Sequence, residues 1–98
     1  MYIICPNLSD NKIVSFFTNI NNASYRFVFK WIDSCDCCFL DIFDNLGNPI
    51  NTGNALQTNT TIINDNRILP NFAFLHSKGL ALPPTVETLK DYVIAYIA

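Results

Sequence analysis

The sequence predicts an all-β domain, a small β-barrel or β-sandwich of short antiparallel strands with at most one or two helical turns. Three observations carry this. Tyr25 to Ile32 alternates with a period of two, placing Tyr25, Phe27, Phe29 and Trp31 on one face and Arg26, Val28, Lys30 and Ile32 on the other, which is the pattern of a pleated strand. Turn-forming clusters recur at short intervals, at Asn19 to Asn22, Asp33 to Asp36, Asp44 to Pro49 and Ser77 to Gly79, leaving room for strands but few helices. The segment Tyr92 to Ile97 alternates again, with Tyr92, Ile94 and Tyr96 opposite Val93, Ala95 and Ile97.

In chain order, Lys12 to Asn19 alternates weakly, and Ile13, Val14, Phe16 and Phe17 give it apolar bulk. After the first turn comes the strand Tyr25 to Ile32, whose aromatic row reads as core or interface. The return strand is Cys37 to Phe43, with Cys38, Leu40 and Ile42 on one side and Cys37, Phe39, Asp41 and Phe43 on the other. On this pairing Asp41 is within reach of Lys30 or Arg26. Gly47 supplies a positive φ for the next turn, and Pro49 restricts the next segment to a short edge beginning at Ile50. Thr52 to Asn54 reads as a turn, Ala55 to Gln57 as a short strand, and Thr60 to Ile68 as irregular or a helical turn. Asn71 to His76 is extended, with Phe72 and Phe74 on one side. Leu80 to Pro84 is extended because each proline restricts its predecessor. Thr85 starts a single turn in which Thr88 stands where a capping box has Glu. Tyr92 to Ile97 closes the chain and, being apolar on both faces, is expected to be buried or covered by a partner.

The 98 residues form one domain, residues 1–98. Only 14% are charged, against about 25% in an average soluble domain. A chain this short buries only about 60–65% of its unfolded surface, so partner burial is the natural complement to a modest core. The six Lys and Arg are scattered and the net charge is −2, which argues against a phosphate-tracking surface and so against nucleic-acid binding. No run approaches the roughly 20 apolar residues of a membrane span. The opening Met1-Tyr2-Ile3-Ile4-Cys5-Pro6 lacks the basic start and apolar run of a signal peptide, so cytosolic folding and free thiols are expected. The frequent Asn residues read as a compositional habit; the alternative is polar loops that hydrogen-bond without charge.

Candidate chemistry is sparse, and no cofactor is expected. Cys35 and Cys38 have the spacing of one zinc-binding pair, and Cys5 with His76 could complete a site, but a second well-formed pair is missing. The competing reading makes Cys38 a core residue and Cys35 and Cys37 thiols beside a turn. His76 has no nucleophile at a motif spacing, and Gly47, Gly53 and Gly79 are isolated, so no phosphate loop exists. Trp31 and Phe29 could form a platform for a glycan or peptide, and this is the alternative to a purely structural role. Candidate interface or core positions are Phe27, Phe29, Trp31, Tyr92, Ile94 and Tyr96.

Three segments in a fixed order carry a family resemblance. They are Phe27 to Phe43 ending Phe39-Leu40-Asp41-Ile42-Phe43, then Asp44-Asn45-Leu46-Gly47-Asn48-Pro49-Ile50 continuing to Gly53 and Leu56, and Pro84-Thr85-Val86-Glu87-Thr88-Leu89 with the strand Asp91 to Ile97. In length and in these segments the chain resembles the small baseplate plug proteins of contractile-tailed bacteriophages. It departs from them at Lys90, at Ile97-Ala98 and in the Cys35 to Cys38 cluster, and its first quarter fits only as an opening β-hairpin. The resemblance implies a non-enzymatic structural protein of the virion, assembled in the host cytoplasm. It also implies a place in the tail baseplate, packed against hub, spike and tail-tube proteins. It brings no catalytic or metal residues.

Overall fold

The computed structural model describes residues 1–64 and 69–97. Its strands are β1 (Tyr2–Ile4), β2 (Ile13–Ile20), β3 (Ala23–Ile32), β4 (Cys37–Asp44), β5 (Pro49–Ala55), β6 (Thr60–Ile62), β7 (Phe72–His76) and β8 (Tyr92–Ala95), with a 3₁₀ turn at Leu89–Asp91 before β8. They form two antiparallel four-stranded sheets. One has the order β2-β3-β4-β5 and the other β1-β8-β7-β6. The sheets pack face to face and do not close on each other, so the fold is a sandwich and not a barrel.

The first sheet is a meander of hairpins, each closed by local chemistry. Asn21 and Asn22 have φ of 52° and 67°, the left-handed pair that a two-residue hairpin needs to match strand twist. Asp36, at φ 50°, ends the β3–β4 turn. Gly47, at φ 87°, closes the β4–β5 turn, where Asp44 accepts backbone N–H bonds from Leu46 and Asn48 at 2.9 Å each. These bonds, that from the Asn48 backbone above all, hold the Asp44 carboxyl below its ordinary pKa. A carboxylate favoured in the folded state adds stability that is present above its unfolded pKa and lost as pH falls through the depressed one.

The β3–β4 register sets Phe27 opposite Ile42, Phe29 opposite Leu40 and Trp31 opposite Cys38. All six side chains point inward. From the other sheet Ile3, Ile62, Phe72, Phe74, Tyr92 and Ile94 face them, and Leu8, Leu56 and Leu89 fill the ends. An aromatic contact joins the layers, Phe27 meeting Phe72 edge-on at 5.8 Å, and within the second sheet Phe74 stacks on Tyr92 at 4.9 Å. Offset and edge-on pairs of this kind add to the area they bury. Lys30 forms an ion pair with Asp41 at 3.1 Å on the outer face, one of the two pairings the alternation allows.

Several elements differ from the sequence-based expectation. The first quarter is not one hairpin: β1 pairs with β8, setting Ile3 opposite Ile94, and only β2 makes a hairpin with β3. Three residues are too few to show a period. Thr52 to Asn54 is not a turn. It lies within β5, where Gly53 at φ 73° sits in a bulge and donates its N–H to Asp41 Oδ1 at 2.7 Å. Part of the segment expected to be irregular is β6, and residues 65–68 lie outside the described residues. Thr88 does complete the expected box: Thr85 N–H donates to Thr88 Oγ1 at 2.8 Å, and Thr88 N–H to Thr85 Oγ1 at 3.2 Å.

The asparagines are more than a compositional habit. Asn54 Nδ2 donates to Asn51 Oδ1 at 3.1 Å, and Asn51 Nδ2 donates to Asn64 Oδ1 at 2.7 Å. Asn64 in turn donates from Nδ2 to the Pro70 carbonyl at 2.7 Å and from its backbone N–H to Asn71 Oδ1 at 2.8 Å. This chain ties β5 to the far sheet without charge, and Asn64 is buried within it. Asn64→Ala is expected to lose about 1–3 kcal/mol of stability, measured as a lowered urea midpoint with an unchanged slope.

Candidate interaction surface

The residues singled out from the sequence lie in the interior. Phe27, Phe29 and Ile94 are fully buried, Tyr92 and Trp31 nearly so, and Tyr96 is half-buried at the edge of the core. Their rows face each other across the sandwich. With Phe29 covered and Trp31 only 6% exposed, these two rings form no open platform for a glycan or peptide.

The cysteines also differ from expectation. Cys35 and Cys37 are joined by a disulfide in the β3–β4 turn, with Cα atoms 5.4 Å apart, a spacing a bridge can span. The turn folds these two side chains toward each other, so they are not free thiols. Cys5 and Cys38 are free and buried. Burial first, then the neighbouring Cys38, pushes the Cys5 thiol far up; burial pushes Cys38 up to about 12. Both stay protonated and unreactive at neutral pH. His76 Nδ1 accepts the Lys78 N–H at 3.0 Å, and its ring meets Tyr92 edge-on. Of the candidate zinc ligands, Cys5 and Cys38 are neighbours in the core, while Cys35 is taken up in the disulfide and His76 Nδ1 by the Lys78 N–H. Among the described residues no group of three or more His, Cys, Asp or Glu is placed to hold a metal ion.

What the sandwich offers outward is apolar surface. On the outer face of the second sheet the registers align Tyr2 with Ala95 and Ala73, and Ile4 with Val93 and Leu75. None is charged. Tyr2 and Ile4 are 64% and 62% exposed, because β1 is the sheet edge and has no neighbour to shield them. A shallow depression of about 480 Å³ runs beside them over Met1, Val93 and Ala95, rimmed by Lys90 and Asp91. The sequence hinted at this face only through the two-sided apolarity of the last strand; Tyr2 and Ile4 carried no signal, because β1 is too short for a periodicity to show. The outer face of the first sheet is mixed, with exposed Phe17 beside Arg26 and the Lys30–Asp41 pair. No helix among the described residues is long and apolar enough to cross a membrane.

A small antiparallel sandwich that keeps its aromatic rows inside and shows an uncharged sheet face outside belongs to the class of structural β domains that work through their surfaces. The chain belongs to a family of phage baseplate plug proteins: the profile described as "Cyanophage baseplate Pam3 plug gp18" matches residues 1–98. A search of the curated proteins found no match. Family membership places the protein in the tail baseplate of a phage, in a structural role with other baseplate proteins around it.

Two measurements check the interior. Trp31 is the single tryptophan; its emission is expected to be blue-shifted and insensitive to iodide, and to stay unchanged across a glycan panel. Without reductant, a thiol reagent such as Ellman's should find no reactive thiol in the native protein and both Cys5 and Cys38 after denaturation.

Proposed function

We propose that the protein is a non-enzymatic plug that seats in the hub region of a contractile-tail baseplate by packing against hub, spike or tail-tube proteins. The match of the baseplate plug family over residues 1–98 carries this reading. The uncharged outer face of the second sheet supports it physically. Tyr2, Ile4, Val93, Ala95, Ala73 and Leu75 present a continuous apolar surface of the kind that obligate partners cover. The aromatic rows Phe27-Phe29-Trp31 and Tyr92-Ile94 act from inside, by making the sandwich rigid enough to present that surface.

Co-expression with the neighbouring tail genes tests the proposal. The chain is expected to co-purify with a hub, spike or tube protein. Ile4→Asp should weaken that association at least about tenfold, roughly 1.4 kcal/mol, while leaving the melting temperature nearly unchanged because Ile4 is already exposed. Failure to co-purify with any of them, together with absence from purified virions by mass spectrometry, would overturn it.

A further inference from the structure

The two sheets have four edges, formed by β1, β6, β5 and β2. Unpaired edges invite strand addition, and native proteins blunt them with short strands, prolines, bulges or charge. Three of these edges are blunted. β1 and β6 have three residues each. β5 begins at Pro49 and is bent by a bulge at Gly53. β2 is the exception: eight residues, Ile-Val-Ser-Phe-Phe-Thr-Asn-Ile, with no charge, proline, glycine or bulge.

The backbone of this strand is poised outward. Trp31 N–H donates to the Lys12 carbonyl at 2.8 Å, and antiparallel ladders alternate bonded and non-bonded pairs. The even-numbered residues of β2 therefore bond to β3, and the N–H and C=O groups of Ser15, Phe17 and Asn19 face the open edge. The Ile13 N–H is already held by Asn11 Oδ1 at 3.2 Å. Side chains add a second argument. Phe17 is 60% exposed on the outer face. Val14 and Phe16 point inward, yet they remain only partly buried while packing on the core.

We propose that this edge pairs antiparallel with the same strand of a second copy of the chain, about a two-fold axis at Phe16. In this register Ile13 to Asn19, seven of the eight residues of β2, overlap: Phe16 lies opposite Phe16 of the second copy, Ser15 opposite Phe17, and Ile13 opposite Asn19. The strand's neutrality selects this occupant. Self-pairing brings no like charges together, whereas a charged partner strand would find nothing here to complement it. Each copy also lacks a roof over Val14 and Phe16, and the other copy's Phe16 supplies it. Two sheets then join into one of eight strands. Such a closed two-fold contact is self-complementary and ends the edge.

The inference does not rest on the plug reading, and its test uses the isolated chain. Sedimentation velocity from about 1 to 100 µM should show a monomer–dimer equilibrium, the range expected of a small interface. Ser15→Pro removes an N–H that faces the open edge and not the β3 ladder, so it should leave the circular dichroism intact and abolish the dimer. Phe17→Lys, at an exposed position, should weaken the dimer at least tenfold and serves if the proline variant misfolds. Amide exchange at Ser15, Phe17 and Asn19 should slow as concentration rises. A monomer throughout the range, a dimer that survives both variants, or protection of these amides only when a baseplate protein is added would each overturn self-pairing.

Discussion

The two sheets are held together by one shared apolar core, and the contact between Phe27 and Phe72 crosses it from sheet to sheet. Phe27 lies mid-strand in β3, flanked by Phe16 on β2 and Ile42 on β4. Phe72 opens β7 and also meets Tyr96 beyond β8 at 5.7 Å. Through this pair a meander of local hairpins is pressed against a sheet assembled from distant segments. A domain of this size has little else to draw on: charges are few, and the single disulfide lies inside one turn. Buried rings, stacked or edge-on, therefore carry much of the apolar burial alongside the aliphatic core residues.

This arrangement decides which surfaces are left for partners. The aromatic row Phe27, Phe29, Trp31 is consumed internally, and the uncharged surfaces left outside include the second sheet's apolar face and the unguarded β2 edge. The two are chemically alike, both uncharged, and spatially distinct, one a sheet face and the other a strand edge. A baseplate component can thus bind a neighbour through one and a copy of itself through the other without conflict. The family match says where such a protein works; the geometry says which faces are free to do it.

Much of the first sheet was legible in the sequence because both strands of the β3–β4 hairpin are long enough to repeat a period of two, and their register is set by the turn between them. The Lys30–Asp41 pair came from the same reasoning. What escaped has physical causes. β1 is too short for a period, and its partner β8 is distant in sequence. Gly53 marks both turns and bulges, so β5 looked broken where it is only bent. The Cys35–Cys37 bond depends on how the turn folds its side chains, which spacing does not specify. The asparagine chain was invisible because it joins residues from three separate segments. As for the surface, the sequence showed that apolar rows exceed what a small core needs, but not which rows the sandwich would turn inward.

The pairing of β1 with β8 has a consequence for how the molecule comes together. The Met1 amino group donates to the Tyr96 carbonyl, 95 positions along the chain, so this ladder closes nearly the longest loop the chain contains. Loop closure must be met before a non-local contact contributes anything. The meander β2–β5 can form hairpin by hairpin as it leaves the ribosome, while β1 waits beside it without a partner. Only when Tyr92–Ala95 has been synthesised is there a strand to join β1 to β7. Folding is thereby divided into an early, local half and a late half that locks the first strand in place, and the uncharged outer face is assembled only in that last step.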